Sequence, residues 1–455
     1  MRRLLDLGRG QTARNSALNL IGVAIPLLIG LALVPITVHG LGVARFGILS
    51  LGLAILEYST FFALGLGPAT TRHVAESLAR GDDRSAELVT ISMLTHTALG
   101  ILGGLIVVAI APLLATRVFV VPAPLVGEAT AAFRLLGLMV PLTLLLLSQY
   151  GALDGASKFG LSNSLRIPFS ILSFAIPAIA VTLGYGLLPI LAFLVVSRAL
   201  VCSLMLVAIS RAFPKFRWEF PGNWTLLKPL LSFGAWISVS NLISPALVYG
   251  DRFFLGALRG VAAVGTYAAP FDALMRCLIV PHSVARALFP KMTGLYATGQ
   301  RSQLRSVVAH ATGVVAALIF VPLAILFAFA PFLIGKWLGP QFADAAGTAA
   351  RILAVGFFFN SLAPIPFGLL AAIDRPDINA KFHLAELCLH IPLTWWLVST
   401  FGISGAATAW SIRSVLDAIL LFSATSFVLR GGDGRDRNSP EPRDGVGLPV
   451  YLDAS

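Results

Sequence analysis

Apolar residues in this chain gather into long, nearly unbroken runs, and most Lys, Arg, Asp and Glu sit in the short stretches between them. The hydrocarbon core of a bilayer is ~30 Å thick, and a helix needs ~20 apolar residues to cross it. Used as a ruler, that length marks six spans near residues 16–39, 46–67, 88–114, 129–151, 167–184 and 187–210. Six more follow near 229–250, 262–285, 306–333, 346–371, 382–400 and 403–428. The prediction is an all-α polytopic membrane protein of about twelve transmembrane helices, with no soluble domain inserted between them. The last 26 residues, from Arg430 on, are rich in Gly, Asp, Arg and Pro and read as a disordered tail over 430–455.

Composition agrees. The 455 residues are 57% hydrophobic and 12% charged, whereas a soluble domain carries ~25% charged residues. The net charge of +12 would suit a nucleic-acid partner, but its placement argues for lipid. With the amino terminus inside, 23 of the 33 Lys and Arg fall in cytoplasmic segments. The opposite loops hold five, assigned as Arg45, Arg117, Arg252, Arg259 and Lys336, and five lie inside spans. That asymmetry predicts both termini in the cytoplasm. The apolar stretch after MRRLLDLGRGQTARN exceeds a signal-peptide core and reads as a retained first helix. Cys202, Cys277 and Cys388 all lie in apolar runs without metal-ligand spacing and read as packing residues. The Asn223-Trp224-Thr225 sequon falls on the predicted cytoplasmic side and carries no weight.

The chain also repeats itself at an offset of 218. Gly42-Val43-Ala44 returns as Gly260-Val261-Ala262, Gly47 as Gly265, and Ala79 and Gly81 as Ala297 and Gly299. Thr130-Ala131-Ala132 returns as Thr348-Ala349-Ala350, with Arg134 and Arg351 close behind. Six spans per half is an even number, so both halves start and finish on the same side. The expected arrangement is a parallel repeat, an amino-terminal lobe over 1–212 and a carboxy-terminal lobe over 213–429, with the site between them. The loops GALDGASKFG and AAIDRPDINAK take equivalent places after the fourth and tenth spans and fit tight turns.

The opening stretch, RNSALNLIGVAIPLLIGLALVPITVHGLGVARFGILSLGLAILEYSTFFALGLGPATTRHVAES, resembles the start of bacterial polysaccharide flippases, the Wzx-like family of O-antigen and exopolysaccharide export. The resemblance rests on a basic-then-Asn start, a Gly-x-x-x-Phe-Gly turn from Gly42 to Gly47, and a Leu-Gly-Leu-Gly exit from Leu64 to Gly67. DRFFLGALRGVAAVGTYAAP, from Asp251, resembles the entry into the second half. The superfamily also holds multidrug antiporters and lipid II flippases, which usually carry two further carboxy-terminal helices that this chain lacks. The resemblance implies a transporter that moves a polyprenyl-pyrophosphate-linked oligosaccharide across the bacterial plasma membrane by alternating access between two lobes. A polysaccharide polymerase or ligase would be a candidate partner.

Charges at mid-membrane cost ~2.5–3.5 kcal/mol each on insertion scales, so they pair or line a wet cavity. Five arginines lie inside spans: Arg198, Arg276 and Arg413 toward the middle, Arg134 and Arg351 near the outer ends. One reading is a cationic cavity that grips a pyrophosphate headgroup in bidentate fashion. The other is local neutralisation, since Asp272 precedes Arg276 by four residues and Asp417 follows Arg413 by four. Arg198 has no acidic residue in its own span, while Arg134 and Arg351 are close enough to the interface to snorkel. Glu57, alone in the second span, is a candidate for loading a proton or a sodium ion, or for pairing with an arginine from elsewhere; Asp272 and Glu386 are weaker candidates. His310, His383 and His390 read as packing or interfacial residues. Pro26, Pro35, Pro141, Pro245 and Pro366 permit bends in their spans.

Three function classes remain in play. Five in-span arginines against the four acids Glu57, Asp272, Glu386 and Asp417 lean toward an anionic substrate over the cation of a multidrug antiporter. A membrane-embedded polymerase or glycosyltransferase would display a large loop or soluble domain, and no Asp-x-Asp motif for a nucleotide sugar is present. The sequence holds no Walker A motif, and no cofactor is expected.

Overall fold

The computed structural model describes residues 28–81, 84–217, 243 and 245–430. The expected start of the first span with Pro26, most of the seventh span, the sequon and the tail lie outside these residues. Among those described there are helices and turns and no strands.

The amino-terminal lobe comprises α1 (Leu28–Leu41), α2 (Val43–Ala63), α3 (Leu66–Arg80), α4 (Ser85–Val118), α5 (Ala123–Gly155), α6 (Phe159–Thr182) and α7 (Leu187–Ala212). The carboxy-terminal lobe comprises α8 (245–258), α9 (Val261–Ala297), α10 (Arg301–Leu338), α11 (Ala345–Ala372), α12 (376–401) and α13 (403–429). The last two run together apart from Gly402, whose φ of 59° breaks the helical path. Helices α2 and α3 are one span bent at Leu64 and Gly65, both left-handed. Among the described residues nine helices are long and apolar enough to cross a membrane, the last covering two ruler spans. With the shorter α1 they fall where the ruler put them; the seventh span lies mostly outside the described residues, and α8 ends eight residues beyond it. One end of the bundle carries Arg80, Lys158, Arg211, Lys291, Arg301 and Arg375 at or beside the helix ends and is called the basic end; the other is the neutral end.

The repeat is visible in the backbone. Glycines with positive φ recur at the 218 offset as Gly42 and Gly260, Gly81 and Gly299, and Gly184 and Gly402. The two tight turns predicted after the fourth and tenth spans carry left-handed Ser157 and Asp374 at almost the same offset.

Lipid offers helices no hydrophobic drive toward one another, so association depends on close packing at small residues. At the α4–α5 crossing, a Cβ on Gly104 would lie 2.5 Å from the Gly137 carbonyl oxygen. At the α10–α11 crossing, one on Gly347 would lie 2.7 Å from Pro331 Cα.

The lobes meet by the same device. A Cβ on Gly47 of α2 would sit 1.7 Å from the Val261 carbonyl oxygen, and one on Gly265 of α9 would sit 2.2 Å from that of Val43. The repeat-related glycines therefore face each other's helix across the pseudo-symmetry axis. Beside them the α4–α5 loop is sewn to the α8–α9 turn: Val120 N–H donates to Gly256 at 2.8 Å, and Val261 N–H donates to Val120 at 3.1 Å. Phe253 of α8 packs edge-on against Tyr58 of α2 at 5.1 Å and touches Phe119 at 6.0 Å. All these contacts lie in the neutral half of the bundle. Toward the basic end, α3 packs on α4 and α5, while the second half of α9 packs on α10 and α11, each within its own lobe. Among the described residues the lobes are held together at the neutral end, while the basic-end segments named here pack within their own lobes.

Gly47→Ala should lower the thermal melting temperature of the detergent-purified protein by several degrees, because overpacking at a backbone crossing costs ~1–3 kcal/mol. Gly127→Ala is the control, since a Cβ there meets nothing within 4 Å. Equal melting of the two variants would show that the α2–α9 crossing carries no strain of this kind.

Candidate functional site

A helix rises ~1.5 Å per residue. Glu57, Arg198, Asp272 and Arg413 lie roughly ten to fourteen residues in from the neutral-end starts of their helices at Val43, Leu187, Val261 and 403. They therefore share a level ~15–21 Å deep, near the middle of a ~30 Å core.

Where the lobes face each other, five charged groups from four helices converge. Arg198 of α7 donates from Nη1 to Thr143 Oγ1 at 2.5 Å, lies 5.4 Å from the Phe169 ring of α6, and keeps an unpaired Nε–H. Glu57 of α2 is solvent-accessible and within electrostatic reach of Arg198, Arg252 and Asp272. It forms no ion pair among the described residues. Arg276 of α9 reaches across to the amino-terminal lobe, with its guanidinium 4.1 Å from the Phe174 ring of α6. It lies against α1 so closely that a Cβ on Gly30 would be 3.4 Å from its Cζ. Asp272, one turn before it, is ion-paired not with Arg276 but with Arg252 of α8.

Arg252 corrects the sequence reading. The apolar ruler stopped at Asp251 and placed Arg252 in an outer loop; instead α8 continues to residue 258 and Arg252 is 3% exposed. The run of charge is tolerated because each member has a charged or hydroxyl partner inside the protein, although Arg252 keeps a buried Nε–H without one. Asp251 accepts from the Tyr267 hydroxyl and from the Arg252 backbone N–H at 2.9 Å, and Arg252 pairs with Asp272 between the rings of Tyr249 and Phe271. Tyr249, also unremarked in the sequence, is in electrostatic reach of Glu57, Asp272, Arg252 and Arg276. The glycine at 260, repeat mate of Gly42, was the signal that the helix runs on to the next turn. Three guanidinium groups thus face two carboxylates at the meeting of the lobes.

The other candidates lie apart from this cluster. Arg413 of α13 is inside the carboxy-terminal lobe, with Nη1 3.5 Å from Glu386 Oε2 of α12 and Nη2 3.4 Å from Ser414 Oγ. Asp417 is within hydrogen-bonding reach of Glu386. The three make a buried triad in which Glu386, from another helix, is the direct partner of Arg413. Arg351 donates from Nε to the Phe327 carbonyl oxygen at 2.9 Å. That carbonyl lies four residues before Pro331, which has no N–H to offer it, so Arg351 closes a gap in the α10 hydrogen-bond ladder. Arg134, near the neutral end of α5, is exposed. His383 stacks on Phe367 at 5.7 Å and His390 is buried beside Thr394 at 3.3 Å, both packing roles as expected.

No group of three or more His, Cys, Asp or Glu poised to hold a metal is found among the described residues. What this arrangement defines is a two-lobed, multi-pass membrane transporter with a charged belt where the lobes meet. The chain belongs to the polysaccharide biosynthesis protein family, whose model matches residues 12–295; a MatE model matches residues 237–396. It is 28% identical over 414 residues to the "Putative O-antigen transporter" of Shigella flexneri, covering 90% of this chain and 96% of that one. It is 22% identical over 428 residues to the "Probable flippase AglR" of Haloferax volcanii, covering 90% and 83%. Among solved structures, the inward-facing form of a multidrug resistance MATE family transporter of the MOP superfamily superposes with a TM-score of 0.78 at 16% identity. That match covers 92% of this chain and 99% of the other.

Breaking a buried ion pair from one side costs ~3–5 kcal/mol, because the survivor stays buried without its partner. Arg252→Ala should therefore lower the melting temperature strongly, and Arg252→Ala combined with Asp272→Ala should cost less than the two single losses added. Additive losses in that double-mutant cycle would show that the two side chains do not act as a pair.

Proposed function

We propose that this protein carries a polyprenyl-pyrophosphate-linked oligosaccharide from the inner to the outer leaflet of a bacterial plasma membrane, for cell-surface polysaccharide biosynthesis. The observation that supports it best is Arg276, a mid-membrane guanidinium on one lobe held against α1 and α6 of the other, about one helical turn deeper than Arg198. A pyrophosphate offers the paired oxygens that guanidinium groups bind in bidentate fashion. Arg252 is committed to Asp272, so Arg198 and Arg276 are the residues free to take the ligand. Glycan transporter and flippase relatives support the same reading.

The mechanism is an exchange of partners. In the ligand-free state Glu57 partly offsets Arg198 and Arg252. When the pyrophosphate enters between the lobes it competes for Arg198, and its negative charge beside Glu57 favours uptake of a proton by that carboxylate. Rocking of one lobe, 1–212, against the other, 213–429, then opens the neutral end, where the Gly47 and Gly265 crossing must part. The basic end and both termini face the cytoplasm in this scheme, in keeping with the distribution of Lys and Arg. The protein does no covalent chemistry; a polysaccharide polymerase or ligase acts on the delivered substrate.

A multidrug antiporter remains the second reading because the solved structure with the TM-score of 0.78 is a multidrug transporter. Proteoliposomes separate the two, offered a fluorescent polyprenyl-pyrophosphate sugar whose label is quenched from outside and, in parallel, a cationic dye. The expected outcome is protein-dependent movement of the lipid-linked sugar. Arg198→Ala and Arg276→Ala should each slow it at least ~tenfold, in line with ~1.5–3 kcal/mol for a charge-assisted hydrogen bond. Arg134→Ala and Arg351→Ala should stay near wild type. Dye accumulation on an ion gradient with the sugar lipid unmoved would overturn the proposal in favour of an antiporter.

The proton step makes its own prediction. Glu57→Gln should flatten the dependence of sugar-lipid transport on an imposed pH gradient while leaving binding of the substrate intact. An unchanged gradient dependence would remove Glu57 from the coupling.

A further inference from the structure

The charged belt lies near mid-membrane, whereas a lipid of the inner leaflet carries its headgroup at the membrane surface, ~15 Å away. A cavity of about 660 Å³ in the carboxy-terminal lobe connects the two levels. It is walled by α8, α9, α11, α12 and α13 and follows one face of α9 from Met275 to Pro290. At ~1.5 Å per residue, Met275 is ~21 Å from the neutral-end start of α9 at Val261, next to Arg276 of the belt. His282 is ~32 Å and Arg286 ~37 Å from that start, at the inner edge of a ~30 Å core and among the headgroups beyond it. The apolar ruler ended its eighth span at 285, which puts Arg286 at the same place.

The polar groups on the walls divide by level. Arg413 and Asp417 are buried at belt depth beside Glu386, and Asn360 and His383 are half-buried. His282 and Arg286 are exposed and stand one turn apart on the cavity face of α9. Arg286 Nε donates to the His282 carbonyl oxygen at 3.4 Å, and its two terminal amino groups meet no acid among the described residues. The wall between Arg286 and the belt is largely apolar, built from Leu278, Ala285, Phe289, Ala363, Phe367 and Ala371.

Each class of occupant makes a different demand. A cation needs oxygens, and the one carboxyl on these walls among the described residues, Asp417, is buried at the far end. A glycan needs hydroxyl partners along its length, where this wall offers alkyl and phenyl surface. An anionic headgroup trailing a hydrocarbon chain needs an accessible cation at headgroup level and an apolar wall beside it. We propose that this face of α9 is the loading site of the transporter. Arg286, with His282 one turn deeper, takes the phosphate of the lipid-linked substrate from the inner leaflet while the first isoprene units lie on the apolar wall. Arg276 then receives the phosphate ~15 Å further in. The identity of the lipid rests on the functional reading above; the exposed cation at headgroup level, opening onto an apolar cavity, does not.

Initial rates of transport test it, measured with the full chain in phosphatidylcholine proteoliposomes over a range of polyprenyl-pyrophosphate trisaccharide content. Arg286→Ala should raise the apparent KM at least ~tenfold, the scale of one charge-assisted hydrogen bond, and keep the saturated rate within ~twofold. Arg286→Lys should recover most of that loss, because the charge is kept. Gly368→Leu should raise the apparent KM as well by narrowing the cavity without removing a charge. A Cβ at Gly368 meets only Met292 Cε at 3.7 Å and Ala285 Cβ at 3.9 Å. Arg286 is exposed, so its loss should leave the melting temperature in place. An unchanged apparent KM in either the Ala or the Leu variant overturns the loading site and leaves the functional reading standing. So does an Arg286→Ala defect confined to vesicles that also contain phosphatidylglycerol, which would assign Arg286 to bulk anionic lipid. If wild-type protein moves no sugar lipid, the functional reading falls and takes the loading site with it.

Discussion

Where α2 crosses α9, two backbones come together with no side chain between them, Gly47 against the Val261 carbonyl and Gly265 against that of Val43. In water such a crossing would be a small matter. In a bilayer, where lipid competes on equal terms for every apolar side chain, close approach is the main source of attraction between helices. The contact is also one that a lobe can leave whole, since it is made of van der Waals surface and buries no ion pair. Everything at the neutral end follows from that closeness: the Val120 hydrogen bonds, the aromatic contacts of Tyr58, Phe119 and Phe253, and the proximity of Arg276 to α1 and α6. The charged belt beneath has its geometry because the crossing above holds the lobes at one separation.

Backbone accounting sorts the arginines better than depth does. A carbonyl freed by proline in a helix must find another donor when water is absent. Trp337 Nε1 donates to Leu31 at 2.7 Å, four residues before Pro35, and Arg351 serves Phe327 before Pro331. Arg259 donates to the Val398 and Ser399 carbonyls beside the Gly402 break. These arginines are occupied with holding helices in shape. Arg198 and Arg276 have no carbonyl to serve and no ion pair among the described residues; they are packed against aromatic rings that fix their direction and leave donors to spare. A guanidinium held in place and only partly offset, as Arg198 is by Glu57, suits an incoming anion.

The architecture was legible in the sequence because a length rule with one parameter governs it, and the runs that fall on described residues and the 218 offset carried through to the helices and to the matched left-handed glycines. The site was legible only in part. Arg198 and Arg276 were found, since any charge deep in an apolar run stands out. Partners were not: proximity along a helix favoured Asp272 with Arg276 and Asp417 with Arg413, whereas Asp272 is held by Arg252 and Arg413 bonds directly to Glu386. Periodicity within one helix says nothing about what a neighbouring helix presents at the same height. Arg252 was lost for a related reason, because a hydropathy ruler counts a satisfied buried charge as a loop.

The repeat explains which features duplicate and which do not. The turn glycines, the crossing glycines and the tight turns recur in both halves. The chemistry does not: at the 218 offset Glu57 corresponds to Met275, Arg198 to Leu416, Asp272 to Ala54, Arg276 to Tyr58 and Arg413 to Val195. Gates that must open and close against each other profit from matched backbones, since the same crossing geometry then serves both partners. The proposed substrate, with a charged headgroup at one end and a glycan at the other, has no such symmetry. Matching it needs one lobe to differ from the other, as the unpaired charges of the belt make them differ.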